Sequence, residues 1–279
     1  MKILLNFADD KFKAQQKFNS TSALSTGGFD KVLEFSSNDI DPDFYNKHKE
    51  ILDEPRGAGY WLWKPYFIYK SLLNSNEGDY LFYCDSGSYF TNSINLLIDC
   101  MNQNELDLMP FECPLLNIQY SKLEFVEFIN NTDWLYKNQT IGTFLLVKNS
   151  PITRKIILEF LELCTVAKLI KDPKLYDKQH DLYIAHRHDQ TILSYVLWKN
   201  NITAFRDPSQ YGMLPFDYIK YGVSKNIYSL GKFKKYITSS YPTILIHYRR
   251  KNIEGFWRRK LFEFSVTLKQ KISFKLLGF

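Results

Sequence analysis

Four short stretches of this 279-residue chain put charged or ring-bearing side chains where an apolar run or a helix begins or ends. In Tyr83-Cys84-Asp85-Ser86-Gly87 a carboxylate leaves a buried run and small residues come next, so a bulky phosphate or sugar can approach the backbone. A carboxylate so placed can hold a divalent cation or a ribose hydroxyl. Mg²⁺ prefers oxygen ligands, keeps several waters, and takes only one or two protein groups when a pyrophosphate completes its shell. The same residues also suit an ordinary Asp-Ser-Gly turn. The stretch from Arg56 to Tyr66, Arg-Gly-Ala-Gly-Tyr-Trp-Leu-Trp-Lys-Pro-Tyr, offers two glycines for close backbone approach and a dense aromatic set beside Lys64, which suits a nucleotide or its phosphates. Taken singly, Trp61 and Trp63 each read more readily as core residues opening a helix with Pro65 in its first turn, but the whole string does not.

His186-Arg187-His188-Asp189-Gln190 stands where a long helix should begin, which favours a charged carboxylate at Asp189. Such a carboxylate can orient a hydroxyl or take its proton, and the two histidines are alternative proton acceptors. The plainer reading is an Asp helix cap with surface histidines. Finally, Ile244-Leu245-Ile246-His247-Tyr248-Arg249-Arg250 delivers an imidazole and two guanidinium groups to a strand end. Imidazole can ligate metal and Arg can pair bidentately with a pyrophosphate, although a strand may also simply turn there into a basic surface.

Strands and helices must position these groups. Apolar runs predict strands at Ile3 to Leu5, Val32 to Phe35, Tyr80 to Cys84, Leu106 to Phe111, Thr143 to Lys148, Ile202 to Phe205 and Thr243 to His247. Helices are expected over Asp10 to Phe18, Trp63 to Leu73, Ser93 to Asn102, from Pro151 to about Val166, and over His188 to Lys199. Ser150 serves as N-cap and Pro151 as the first helical residue. This alternation argues for an α/β domain with a mostly parallel sheet covered on both faces. Ligands of open sheets bind beyond the carboxyl ends of the strands, which directs attention to the residues just after Cys84, Lys148 and Ile246.

Composition narrows the classes. Hydrophobic residues at 45% and charged residues at 24% describe a chain that folds, and no repeat or low-complexity segment interrupts it. The cysteines Cys84, Cys100, Cys113 and Cys164 form no metal or disulfide spacing, so reduced, buried thiols are expected. No secretory leader or membrane-spanning run is visible, and a cytoplasmic protein is expected. The net charge of +6 is concentrated late: residues 249–275 hold nine Lys or Arg against Glu254 and Glu263. A nucleic-acid binder should interleave basic and aromatic residues on one face of the domain, so no nucleic-acid partner is expected.

Taken together the four strings resemble the bacterial glycosyltransferases of the GT-A fold found in capsule and O-antigen gene clusters. The resemblance spans roughly residues 1–250. Gly57 to Pro65 looks like that family's Gly-x-Gly-Tyr-Trp-x-Trp-Lys-Pro segment. Tyr83 to Gly87 sits where such enzymes carry Asp-x-Asp, Ile141-Gly142-Thr143-Phe144 with Asn149-Ser150 is similar to the strand bordering the sugar pocket, and His188-Asp189-Gln190 resembles the His-Asp-Gln element. The resemblance implies a GT-A-like, Rossmann-type sheet flanked by helices over 1–250 and a tail over 251–279. It also implies transfer of a hexosyl group from a nucleotide-sugar, a UDP-sugar, to a hydroxyl of a surface glycan such as capsule, O-antigen or lipooligosaccharide. The candidate donor-binding set is Phe7, Tyr60, Trp61, Lys64, Asp85, Ser86, Gly87, Gly142 and Arg249, and the candidate catalytic pair is Asp189 with His188. Asp85 and His247 are the candidate ligands of a divalent cation, Mn²⁺ or Mg²⁺. Gly87 replaces the second Asp of the motif, so that grip has one carboxylate instead of two, and Lys64, Arg249 and Arg250 are the alternative neutralisers of the diphosphate.

Past Gly255 the residues Trp257, Leu261, Phe264, Leu268 and Ile272 recur at spacings of four and three, with Arg258, Arg259, Lys269 and Lys275 largely off that stripe. This basic amphipathic helix is expected either to lie on the inner leaflet, where lipid-linked acceptors reside, or to dock its stripe on the core. Two other classes share some of these features: a phosphotransferase or nucleotidyltransferase, which lacks a second carboxylate near Asp85, and a non-catalytic carbohydrate-binding scaffold.

Overall fold

The computed structural model describes residues 1–213, 239–248 and 256–277, and the side chains of the last segment over 260–270. Strands β1 (Lys2–Phe7), β2 (Lys31–Phe35), β3 (Tyr80–Cys84), β5 (Leu108–Leu116), β6 (Asn138–Lys148) and β7 (Phe205–Arg206) form one sheet in the order β2-β1-β3-β6-β5-β7. Strands β4 (Ser88–Phe90) and β8 (Leu245–His247) pair as a separate antiparallel ribbon. Helices α1 (Lys13–Ser22), α2 (Pro42–Leu52), α3 (Trp63–Leu73), α4 (Asn95–Gln103), α5 (Leu123–Ile129), α6 (Pro151–Cys164), α7 (His188–Lys199) and α8 (Phe256–Leu277) surround them.

The sheet is mostly parallel, as expected, with one reversal. β1 runs parallel to both β2 and β3, and β5 runs parallel to β7, whereas β6 is antiparallel to β3 and to β5. That reversal changes which end of β6 lies beside the carboxyl end of β3. Phe144 pairs with Cys84, and the Asp85 N–H donates to the Thr143 carbonyl at 3.0 Å. Gly142, which precedes the paired stretch, therefore stands at the site end. The residues after Lys148 lie at the other end, where the buried Asn149 amide donates to the Leu72, Ser75 and Asn76 carbonyls.

Alternation of side chains along β3 and β6 supplies two cores. Leu81, Tyr83, Leu145 and Val147 face α3, α6 and α7 with Phe67, Ile157, Phe160 and Val196. Phe82, Cys84, Phe144 and Leu146 face the other way, against Leu97 and Met101 of α4 and Met109 and Phe111 of β5. Truncating a fully buried aromatic such as Phe160 to Ala should cost about 3–5 kcal/mol. The four cysteines are buried and free, and burial pushes the Cys84 and Cys164 thiols upward.

Several boundaries differ from the sequence-based expectation for local reasons. Asp9 caps a short 3-10 turn over Asp10–Phe12 by accepting from the Lys11 N–H, so α1 starts three residues late and runs on to Ser22. β5 and β6 both extend into polar sequence, because Glu112, Gln139 and Thr140 are held by ladder pairing and by α7. Ile202 does not begin a strand: its N–H closes the end of α7 on the Leu197 carbonyl at 2.9 Å. Ser150 and Pro151 start α6 as the capping pattern predicts.

The terminal helix α8 docks, but not by the expected stripe. Phe262 packs against Tyr248, Val266 is buried, Glu263 accepts from the Tyr89 hydroxyl at 3.1 Å, and Gln270 donates to Thr243 at 2.9 Å. Leu261 and Phe264, both 68% exposed, and Leu268, 49% exposed, face away from the domain. The side chains of Trp257 and Ile272 lie outside the described residues.

Candidate active site

The strand ends meet around one ammonium. Lys64, in the first turn of α3, is 4% exposed and directs its Nζ to the Gly142 carbonyl at 2.8 Å and to Asp189 Oδ2 at 2.5 Å. Asp85 Oδ1 stands 4.0 Å from the same nitrogen. The Tyr83 hydroxyl donates to that Asp85 oxygen at 2.5 Å, and its ring lies under the ammonium at 5.2 Å. Two carboxylates from distant parts of the chain thus share one buried cation.

The two carboxylates differ in setting. Asp85 has a side chain 37% exposed, whereas that of Asp189 is 6% exposed. Burial raises the Asp189 pKa to about 6, with Lys64 holding it down from a higher value and Asp85 adding to the rise. Burial pulls the Lys64 ammonium down, but Asp189 and Asp85 together outweigh it and leave its pKa above the ordinary value. The resulting pair is ionised at neutral pH, with a carboxylate whose proton affinity lies near that of a working general base.

Gly142 makes this packing possible. A Cβ there would stand 3.1 Å from Asp189 Oδ2 and 3.3 Å from Lys64 Nζ, tighter than ordinary contact. Gln190 secures the same strand from the other side: its Oε1 accepts from the Gly142 N–H at 3.1 Å while its Nε2 donates to Gln139 at 2.7 Å.

The aromatic string before Lys64 is largely structural in placement. Trp63 stacks on Phe7 with centroids 3.7 Å apart, both rings are buried, and the Trp63 indole donates to the Gly57 carbonyl at 2.9 Å. The preceding turn coils left-handed at Gly57, Ala58, Gly59, Tyr60 and Trp61. At Gly59, with φ +93°, an added Cβ would come within 2.7 Å of the Leu52 Cα, so only glycine fits. Left-handed conformation at Ala58, Tyr60 and Trp61 is uncommon for such residues and is held by the packing around it. Tyr60 is buried, Trp61 is half-buried, and both rings lie over His188, at 4.8 and 5.4 Å.

His188 therefore points away from its neighbour Asp189. With φ +48° it directs Nδ1–H to the Ile170 carbonyl at 2.8 Å, and burial lowers its pKa to about 4. His186 likewise donates Nε2–H to the Leu169 carbonyl, and burial holds its pKa well below the usual range. These are neutral, buried imidazoles and not surface groups.

Ser86 donates to the Phe7 carbonyl at 2.6 Å, tying the turn after β3 to the end of β1, and the Gly87 carbonyl accepts from the Tyr248 N–H at 2.7 Å. His247 is buried in the β4–β8 ribbon, 3.3 Å from the Ser88 hydroxyl through Nδ1, with its ring against Phe144 and Tyr211. Arg249 and Arg250 lie outside the described residues. Among the described residues no three His, Cys, Asp or Glu side chains gather to hold a metal ion, and the cation beside Asp85 is the Lys64 ammonium. The donor set present does not by itself form a metal centre.

Sequence reading missed Tyr83 and the amide network beneath the site. Asn19 donates to the Ser88 carbonyl at 2.9 Å and accepts from Asn6 at 2.7 Å, while Gln16 donates to Asn6 at 3.1 Å. The available signal for Tyr83 was its place two residues before Asp85 in a strand, which puts both side chains on one face. Nothing in the sequence marks Asn6, Gln16 and Asn19 as buried partners.

No protein-family model matches the chain, and no curated protein matches it in sequence. Among solved structures it is similar to the galactosyltransferase LgtC in complex with donor and acceptor sugar analogues, at 15% identity over 90% of this chain and 87% of that one, with a TM-score of 0.47. It is similar to mouse xyloside xylosyltransferase 1 in its apo form, at 8% identity over 91% of this chain and 99% of that one, with a TM-score of 0.49. It is also similar to the glycosyltransferase GlyE of Streptococcus pneumoniae TIGR4, at 15% identity over 98% of this chain and 63% of that one, with a TM-score of 0.42.

Proposed function

We propose that this protein is a glycosyltransferase of the GT-A type that moves a hexosyl group from a nucleotide-sugar, a UDP-sugar, onto a hydroxyl of a growing surface glycan of the capsule, O-antigen or lipooligosaccharide kind. The observation that carries the reading is the shared ammonium. Lys64 holds a partly open carboxylate, Asp85, and a buried carboxylate tuned to about 6, Asp189, at the carboxyl end of β3. Transfer at an anomeric carbon needs a donor held in place, charge stabilisation for the departing diphosphate, and an acceptor hydroxyl that is oriented and deprotonated.

In this reading Asp85 anchors the donor, Ser86 and Gly87 form the turn beside it, and Gly142 borders it while admitting the Lys64–Asp189 pair. Asp189 orients the acceptor hydroxyl or takes its proton. Lys64 fixes Asp189 and orients Asp85, and Arg249 serves the diphosphate. Phe7, Trp61 and Tyr60 shape the wall. Asp85 and His247 would be the protein ligands of a divalent cation, Mn²⁺ or Mg²⁺, which would add positive charge beside the departing diphosphate. The enzyme is cytoplasmic, and its acceptor is lipid-linked at the inner face of the membrane.

The test is a thermal-shift screen against nucleoside diphosphates and their sugars with Mn²⁺, Mg²⁺ or chelator, on the wild type and Asp85→Ala. A donor at a hundred times its dissociation constant should stabilise the fold by about 2.7 kcal/mol. A shift confined to one nucleotide class and lost in the variant supports the reading. No shift with any nucleotide overturns it and favours the carbohydrate-binding scaffold.

A further inference from the structure

The outward face of α8 is unaccounted for by the fold. With 100° per residue, Leu261, Phe264 and Leu268 fall within an arc of roughly 60°, and Phe262, Val266 and Gln270 lie on the opposite side. The second set docks the helix, so the exposed apolar ridge makes no contribution to that contact. Lys260 and Lys269, both exposed, flank the ridge on either side. Residues 249–275 carry nine basic residues against two acidic ones, and one of those two, Glu263, is turned inward onto Tyr89 and paired with Lys260 at 2.7 Å. No helix of the described residues is long and apolar enough to cross a membrane.

We infer that α8, while remaining docked on Tyr89 and Tyr248, rests its Leu261–Phe264–Leu268 ridge in the interface of an anionic lipid surface, with the exposed Lys269 among the headgroups. A large apolar ridge bordered by basic side chains on a helix too polar to span is the arrangement that lies in the plane of a bilayer. A second copy of the chain is a poorer occupant, because pairing two ridges would bring lysine flanks of like charge together. The inference concerns a surface remote from Lys64 and holds whether or not the site transfers sugar.

Flotation of the full chain with vesicles tests it. The wild type should bind phosphatidylcholine vesicles containing phosphatidylglycerol, bind pure phosphatidylcholine far less, and lose most of its binding at high salt. The triple variant Leu261→Ser, Phe264→Ser, Leu268→Ser should bind at least roughly tenfold more weakly, with an unchanged melting temperature because the three side chains are exposed. Asp85→Ala should bind like the wild type, which separates this surface from the donor site. Absence of binding to anionic vesicles, or a triple variant that binds as well as the wild type, overturns the inference. So does a wild-type dimer in solution that becomes monomeric in the triple variant, since the ridge is then an interface between copies.

Discussion

The first turn of α7 faces two ways, and neighbouring residues there have opposite surroundings. On one side Asp189 is joined to charge: Lys64 at 2.5 Å, with Asp85 beyond it. On the other, His188 is joined to a backbone carbonyl, Ile170, covered by the rings of Tyr60 and Trp61, and faces the Asp172 carboxylate at 3.7 Å through Nε2. Both are buried, yet burial raises the proton affinity of the first and lowers that of the second. Adjacency in a His-Asp motif therefore does not make a dyad: Asp189 is paired with the Lys64 ammonium, whereas His188 is held by the Ile170 carbonyl with Asp172 beyond it.

Breaking the charged side should have the largest effect. Asp189→Asn should lower sugar transfer about 10²–10⁴-fold, the usual worth of a positioned general base, in an assay of nucleotide release. His188→Asn, which tolerates positive φ and can still donate to Ile170, should leave the rate within a few-fold. The reverse ranking would overturn this division of roles. Lys64→Met comes next, since it strips a buried carboxylate of its cation, a change that costs about 3–5 kcal/mol. Without Lys64 the folded-state pKa of Asp189 moves further above its unfolded value, so stability is lost as pH rises through that window. Urea unfolding should therefore show the variant closer to the wild type at pH 5 than at pH 7, and an equal deficit at both would refute the assignment.

Gly142→Ala should cost about 1–3 kcal/mol, because its Cβ must displace Asp189 Oδ2 or Lys64 Nζ; a neutral result in chemical denaturation would mean the pair is looser than described. The smallest effect is an acid response. A histidine whose folded pKa is lowered from 6.5 to about 4 contributes stability above pH 6.5 that is lost as pH falls toward 4. His188→Asn should thus flatten the decline in unfolding midpoint between pH 7 and 5. With Asp189 as the proposed base, the rate of nucleotide release should fall on the acid side of about pH 6, and a flat profile there would count against that role.

Much of this arrangement was legible in the sequence. The bounds of α3, β3 and α7 follow from apolar periodicity and from Pro65, and the strings containing Lys64, Asp85, Gly142 and Asp189 stand out by residue type. What was not legible is relational. Antiparallel pairing of β6 depends on neighbours that its own residues do not specify, and it is this pairing that brings Gly142 rather than Asn149 to the site. In sequence Lys64 reads as a phosphate partner because no carboxylate is visible in its own stretch, whereas its partner Asp189 lies 125 positions away. The α8 stripe was visible, but a helix with two apolar faces does not announce which one docks.

The β4–β8 ribbon has a consequence for how the site matures. Ser88 and His247 are 159 positions apart, whereas the β1–β3 pairing closes with a far shorter separation. Closing a longer loop costs more entropy, and contacts of high sequence separation form late. We expect amides of β4 and β8 to gain hydrogen-exchange protection after those of β1 and β3 during refolding; simultaneous protection would count against this order. The Lys64–Asp189 pair, 125 positions apart, should then form before the 159-position ribbon contact clamps the turn after Asp85, so a refolding chain holds its charges together before it closes the loop beside them.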